Sequence, residues 1–380
     1  MNRARAAARA VPVLSELRVA RPDQPITDRW ARVPVAPAGD TLLGISFRPL
    51  QARELGLDPR AALRELLTFP FPLVRLAAYW DRLEPAAGRL DTTELDEQLA
   101  AASDAGKQVI LCVGAVKAFG YPEFFVPAHA LPGPLPEGRL ITPATHPQLL
   151  GAATGFITRI VQRYRDHPAL AAWQVEHEPV DPLGMEHSWR LAAEFAAAEA
   201  AAVRAADPSH PLIATGFLPT SLPVRVQQHW RSRDQGDSLA VVPRIADVVG
   251  LDLYPRHGLA RLGPVTAYLA GNNTRLVRRA SERYVAAAAA AGCRVMVTEG
   301  QAEPWETVTT PPSVPGRGMF SCLPEHVVAT YNAAMKLGSC VPGGLRAYLF
   351  WGAEYWLLRR QQGDDSYLRA FRRILAEAVT

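Results

Sequence analysis

The chain has 380 residues, 48% of them hydrophobic and 21% charged. That is the make-up of a folded globular protein and excludes a disordered or fibrous chain. The length admits two ordinary domains or one large α/β barrel. The formal charge is +4, from 41 basic and 37 acidic residues, and the lysines are only Lys107, Lys117 and Lys336. So small an excess, spread along the chain, is not a nucleic-acid footprint, and no nucleic-acid partner is expected.

The opening stretch MNRARAAARAVPVLSEL is basic and Ala-rich, and its uninterrupted apolar run is only Ala10–Leu14 with Pro12 inside it. That is too short for a signal peptide, and nothing approaches a membrane span. The expectation is a cytoplasmic protein with no membrane partner. Residues 1–39 read as an irregular arm and residues 40–380 as one folded domain. Four cysteines do not make a disulfide framework. Cys322 and Cys340 bracket a predicted helix that is roughly 20 Å long at about 1.5 Å per residue, and bridged Cα atoms lie within about 7 Å. Free thiols are therefore expected. No Cys/His cluster has zinc spacing, and no metal or cofactor is anticipated.

From Asp40 onward one pattern recurs: a short apolar strand, a polar or aromatic tip, then an Ala/Leu-rich amphipathic helix. Strands are predicted at Leu42–Phe47, Leu73–Tyr79, Gln108–Gly114, Leu170–Val175, Leu212–Phe217, Val248–Tyr254, Arg294–Glu299 and Arg346–Trp351. Helices follow near Arg60–Leu67, Thr93–Ala105, Pro147–Arg165, Glu186–Ala205, Leu222–Arg231, Arg275–Ala291, Glu325–Lys336 and Ser366–Ala378. Gly106 and Gly292 stand where helices cap, and Pro168 and Pro208 where helices cannot continue. Strands alternating with helices argue for a parallel sheet, and eight such units for a single (β/α)8 TIM barrel. A doubly wound sheet is the alternative, but GISFRP after the first strand is not its glycine-rich phosphate turn. The connections after the third and seventh strands, Ala115–His146 and Gly300–Leu323, are long and rich in Pro and Gly. They leave the C-terminal ends of strands, where barrel active sites lie, and should wall a cleft.

The fourth strand ends in Trp173-Gln174-Val175-Glu176-His177-Glu178-Pro179, and the seventh in Val297-Thr298-Glu299-Gly300. Strands four and seven face each other across a barrel top, so each tip offers a carboxylate to one bond. Glycoside hydrolysis needs such a pair, one acid to protonate the leaving oxygen and one carboxylate to attack or stabilise the sugar carbon.

At these positions the sequence resembles the clan A retaining glycoside hydrolases. His177-Glu178-Pro179 is similar to their acid/base motif, with His in the place of Asn, and Val297-Thr298-Glu299 to their nucleophile motif. The run from Val74 to Pro85, then Gly88, Asp91 and Asp96, is similar to their second-strand signature; Tyr254 and Trp351 end the sixth and eighth strands as in those enzymes. The resemblance spans strands two to eight. It implies Glu178 as acid/base, Glu299 as nucleophile, a carbohydrate substrate and no cofactor. It makes Glu299 the partner of Arg75, a charge inside an apolar strand that needs one. His177, Tyr254 and Trp351 would touch sugar, and Trp80, Trp305, Asp252 and Lys117 are further candidates for substrate binding. His177 is expected to be neutral during turnover. Glu176 shares a strand face with Glu178 and reads as its supporting neighbour. Glu84 reads as a structural tie and Trp173 as core.

Two other classes fit parts of the pattern. His177, Glu178, Asp252 and Glu299 could ring a divalent ion in a metal-dependent isomerase or hydrolase, although no HxH pair marks the first strand. A carbohydrate-binding barrel without catalysis is the other, and the presence of both glutamates argues against it.

Overall fold

The structure, a computed structural model, describes residues 16–120, 123–131, 133–136, 138–181, 189–232, 235–271, 275–307 and 314–378. Eight parallel strands close into a barrel: β1 Leu42–Ser46, β2 Leu73–Ala77, β3 Gln108–Cys112, β4 Leu170–Gln174, β5 Leu212–Phe217, β6 Val248–Leu253, β7 Arg294–Gln301 and β8 Ala347–Trp351. Each pairs with its neighbours in the chain, and β8 returns to β1. They are near-continuous runs of apolar residues because both faces of a parallel sheet are buried. The helices that follow in turn are α1 Pro59–Leu67, α2 Thr93–Asp104, α3 Pro147–Tyr164, α4 Ala193–Ala206, α5 Leu222–Ser232, α6 Arg275–Ala290, α7 Pro324–Gly338 and α8 Ser366–Glu377. The local chemistry sets their ends. Asp58 caps α1 by accepting from the Ala61 N–H at 2.7 Å, with Pro59 at the first helical position. Gly106 and Gly292 take left-handed conformations (φ 67° and 78°) just past α2 and α6.

Side chains fill the barrel in layers. Leu73, Ile110, Ala172, Ile213, Val248, Met296, Ala347 and Leu349 form an apolar plug inside. A larger core lies between the strands and the helices. A third cluster at the strand tips joins Tyr79, Phe119, Phe125, Tyr254 and Trp351. All four cysteines are free. No helix among the described residues is long and apolar enough to cross a membrane.

The departures from expectation are confined to the tips and the arm. Helix α4 starts at Ala193; residues 182–188 lie outside the described residues, and Arg190–Leu191 is a short strand on Leu140–Ile141. The expected irregular arm carries strands: Leu17–Ala20 pairs with Val265–Ala270, and Asp23–Pro25 with Arg317–Met319. Residues 1–15 of that arm lie outside the described residues. Val265–Ala270 is itself half of a hairpin with Arg256–Leu262 that rises from β6. The two arm strands find partners far away in the chain, so no local pattern announces them.

Gly44 sits where β1 crosses β2, and a Cβ there would lie 2.0 Å from the Leu73 carbonyl oxygen. Backbone cannot yield as a side chain can. Gly44→Ala should therefore cost about 1–3 kcal/mol, the usual range for overpacking, seen as a lower midpoint in denaturant unfolding with an unchanged slope.

Candidate active site

Arg75 points inward from β2 and is fully buried. Its Nε donates to Gln174 Oε1 at 2.7 Å, and its Nη1 donates to the Thr298 carbonyl at 3.2 Å and to Glu299 Oε1 at 3.0 Å. The guanidinium carbon Cζ lies 3.9 Å from the centre of the Phe119 ring. Tyr254 Oη donates to Glu299 Oε2 at 2.5 Å. A cation and a phenol O–H therefore grip the two oxygens of Glu299. The register of β7 shifts between Val297 and Gly300, and that irregularity aims Glu299 into the barrel mouth.

The tip of β4 leaves regular strand geometry. Glu176 and Glu178 both adopt positive φ, 47° and 41°, an uncommon state for residues other than glycine that clusters at functional sites. The strand alternation that would put the two on one face is broken. Glu176 turns away from the mouth, and its oxygens accept the N–H groups of Val116 at 2.9 Å and Lys117 at 2.7 Å. Glu178 is buried with its N–H donating to Thr215 Oγ1 at 3.1 Å. Burial pushes the Glu178 carboxyl well above the usual range, with Asp252, Glu123, Asp181 and Glu299 adding like-charge repulsion.

Between the two glutamates stands His177. Its Nδ1 lies 3.5 Å from Glu299 Oε1, 3.7 Å from Asp252 Oδ2 and 3.2 Å from Thr215 Oγ1, and its Nε2 lies 3.3 Å from Glu123 Oε1. Burial alone would lower its pKa; Glu299, Glu123 and Asp252 outweigh it, so the imidazole titrates above its ordinary value. Those three carboxylates therefore pull against the neutral His177 expected during turnover. Asp252, which accepts from Thr298 Oγ1 at 2.7 Å, is itself raised to about 7, first by burial and then by Glu299.

Trp351, at the end of β8, packs edge-on against Phe119 at 6.0 Å, and the Arg48 guanidinium lies 4.2 Å from its ring centre. Trp305 reaches the same aromatic floor, 5.0 Å from the Tyr254 ring. Two candidates belong elsewhere. Trp80 begins the short helix Trp80–Leu83, so its indole turns into the helix layer. There it stacks on Phe156 at 5.4 Å and donates to Glu84 at 2.7 Å. Glu84 also accepts from Gly88 and Arg159 and is the expected structural tie. Lys117 is buried, and its Nζ is taken up by the Glu178 carbonyl at 2.6 Å, the Asp181 carbonyl at 2.9 Å and Glu123 at 3.2 Å. It is not placed to touch substrate.

Four residues at the mouth were not anticipated. Arg48, at the tip of β1, pairs with Glu303 at 2.7 Å and Glu354 at 2.8 Å, all three buried. Glu123 comes from the long loop after β3. A buried charge declares itself only with its partner, and the partners of Arg48 come from the segments that follow β7 and β8.

Residues 63–198 match the family model Glyco_hydro_42, described as beta-galactosidase. The matched span holds Arg75, Glu123, His177 and Glu178 and ends before Glu299. A search of curated proteins finds no match. Among solved structures, the chain is similar to a GH5_18 protein from Streptomyces cattleya in complex with GlcNAc, at 14% identity and a TM-score of 0.56, over 90% of this chain and 82% of that one. It is also similar to a GH5_18 variant from Bifidobacterium longum subsp. longum in complex with Manb1-4GlcNAc, at 13% identity and 0.57, over 89% and 78%. A third is the exo-beta-1,4-mannosidase Op5Man5 from Opitutaceae bacterium strain TAV5, at 16% and 0.50, over 83% of this chain and 52% of that one. At these identities the likeness is one of fold.

Because Glu123 is among the groups that hold the His177 proton, Glu123→Gln should move the imidazole titration to lower pH, read from its ring resonances by NMR. An unmoved titration would mean that Glu299 and Asp252 alone set the charge.

Proposed function

We propose that this chain, a clan A glycoside hydrolase with no single family assigned within the clan, works by double displacement, with Glu299 as nucleophile and Glu178 as acid/base. The observation that carries the reading is the opposite treatment of the two carboxyls. Glu299 receives Arg75 and Tyr254, the contacts of an anion. Glu178 is surrounded by burial and negative neighbours, which favour its protonated form. One carboxylate is ready to attack while the other still holds a proton.

In the first step Glu299 attacks the anomeric carbon as Glu178 gives its proton to the departing glycosidic oxygen. The C–O bond to the leaving group breaks and an ester to Glu299 forms. In the second step the Glu178 carboxylate takes a proton from water, whose oxygen attacks the same carbon and frees Glu299. The substrate class we infer is a β-linked oligosaccharide or polysaccharide, in keeping with the β-glycosidic names of the matched family and the similar structures. His177, Tyr254, Trp305, Trp351 and Asp252 would line the sugar. Residues 40–380 are the catalytic barrel in this reading and residues 1–39 lie outside it. Four free thiols support a cytoplasmic setting.

One observation favours a second reading. Ligand atoms of His177, Asp252 and Glu299 lie within 4.8 Å of one another, close enough to hold a divalent ion. The two readings part on chelation. Double displacement keeps full turnover after EDTA dialysis, and loss restored by a divalent ion would favour the metal.

Three outcomes test the mechanism. Glu299→Ala should abolish turnover. Glu178→Ala should slow substrates with poor leaving groups by about 10²–10⁴-fold, the usual worth of a general acid, and spare dinitrophenyl glycosides in kcat/KM. A first product of inverted anomeric configuration by NMR would rule the mechanism out.

The pH dependence has a fixed sign. Glu178 must be protonated, and its pKa is raised, so kcat/KM holds to higher pH than an ordinary carboxyl allows and falls as pH rises through that pKa. Asp252→Asn removes a repelling charge and should shift this falling limb to lower pH. A limb that stays in place would mean that another group is the acid.

A further inference from the structure

We infer that Lys117 and Glu176 form a reciprocal clamp that holds the backbone of Glu178 in the conformation presenting its carboxyl to the leaving group. The inference rests on Glu178 being the acid/base.

Two non-glycine residues with positive φ, separated by one residue, are strained and persist only where their surroundings fix them. Here the fixing contacts run in both directions between the tips of β3 and β4. From β4, the Glu176 carboxylate accepts the backbone N–H groups of Val116 and Lys117, and the His177 N–H donates to the Lys117 carbonyl at 2.9 Å. From the β3 side, the Lys117 ammonium donates to the carbonyls of Glu178 and Asp181, on either side of Pro179 and Val180. An ammonium has three N–H groups. Glu123 stands 3.2 Å from the same nitrogen as its ion-pair partner.

The packing leaves little slack. A Cβ on Gly114 would lie 2.3 Å from the Glu176 nitrogen and 3.0 Å from the Lys117 carbonyl oxygen, so the two tips touch backbone to backbone. Behind them lies Glu199, and burial followed by the charge of Glu176 raises its carboxyl well above its usual range. Glu176 and Lys117 are thus positioning residues, acting on the acid through its main chain.

The test uses Lys117→Met in the full chain, with kcat/KM measured on dinitrophenyl and phenyl β-galactosides and β-mannosides. Dinitrophenolate leaves without a proton and phenolate needs one. A clamp on the acid predicts a loss of about 10–100-fold on the phenyl glycosides and less than about threefold on the dinitrophenyl ones. Equal losses on both, or no loss on either, would overturn the clamp while leaving the glycosidase reading intact. A wild-type enzyme inactive on all four glycosides would overturn the reading beneath it, and the clamp with it. If Lys117→Met fails to fold by near-UV circular dichroism, Glu176→Gln decides. It keeps the size but turns one acceptor into a donor facing an N–H, and the same skew toward phenyl glycosides is expected.

Discussion

A guanidinium enclosed in a barrel must be neutralised where it stands. Taking Arg75 out of water costs several kcal/mol even after relaxation. It is repaid by Gln174 on β4, Ser46 on β1 and Thr298 and Glu299 on β7. Four strands therefore meet on one side chain, and barrel closure and the seating of Glu299 are a single event. Below this layer the interior is an apolar plug. Above it the mouth is dense with carboxylates, and Arg75 marks the change from one to the other. Removing either partner would leave a buried charge alone, a loss of about 3–5 kcal/mol.

The other mouth charges follow the same rule of local neutralisation. Arg48 lies between Glu303 and Glu354, which together keep its charge despite burial, and it also supports the face of Trp351. Lys117 and His177 share Glu123, whose carboxyl is held below its usual range: burial raises it, and the two cations more than compensate. Among the described residues, no lysine or arginine pairs with the Glu178 carboxyl, and the Lys117 ammonium goes to its carbonyl. The difference between the two glutamates is a difference in where the cations point.

Much of this was legible in the chain. Apolar runs bounded by Gly and Pro mark the strands because parallel strands are buried on both faces, and the observed ends fall within two residues of those expected. Arg75 stood out because a charge in an apolar run needs a partner. Trp80 misled because an aromatic at a strand tip reads as a platform, and only the helix that begins on it turns the indole outward. Lys117 misled for a related reason: its place at the tip of β3 was readable, but the carbonyls that consume its ammonium were not. Glu123, Arg48, Glu303 and Glu354 could not be ranked among 37 acidic and 41 basic residues, because burial and partnership are properties of the closed barrel. The face of Glu176 failed for a sharper reason. Alternation holds only while φ stays negative, and the two glutamates are where it does not.

His177 stands where the resembling enzymes carry a neutral amide, and this ties its charge to the reaction. Its proton is held against burial chiefly by Glu299, then by Glu123 and Asp252. In the proposed first step Glu299 becomes an ester and loses its charge. The strongest attraction on the imidazolium then disappears, and burial, which favours the neutral ring, gains weight. The same loss removes one of the repulsions that keep Glu178 protonated, so the acid of the first step ionises more readily for its work as base in the second. An amide would respond to neither change. With histidine in this place, the loss of charge on the nucleophile in the proposed first step bears on the imidazole as well as on Glu178.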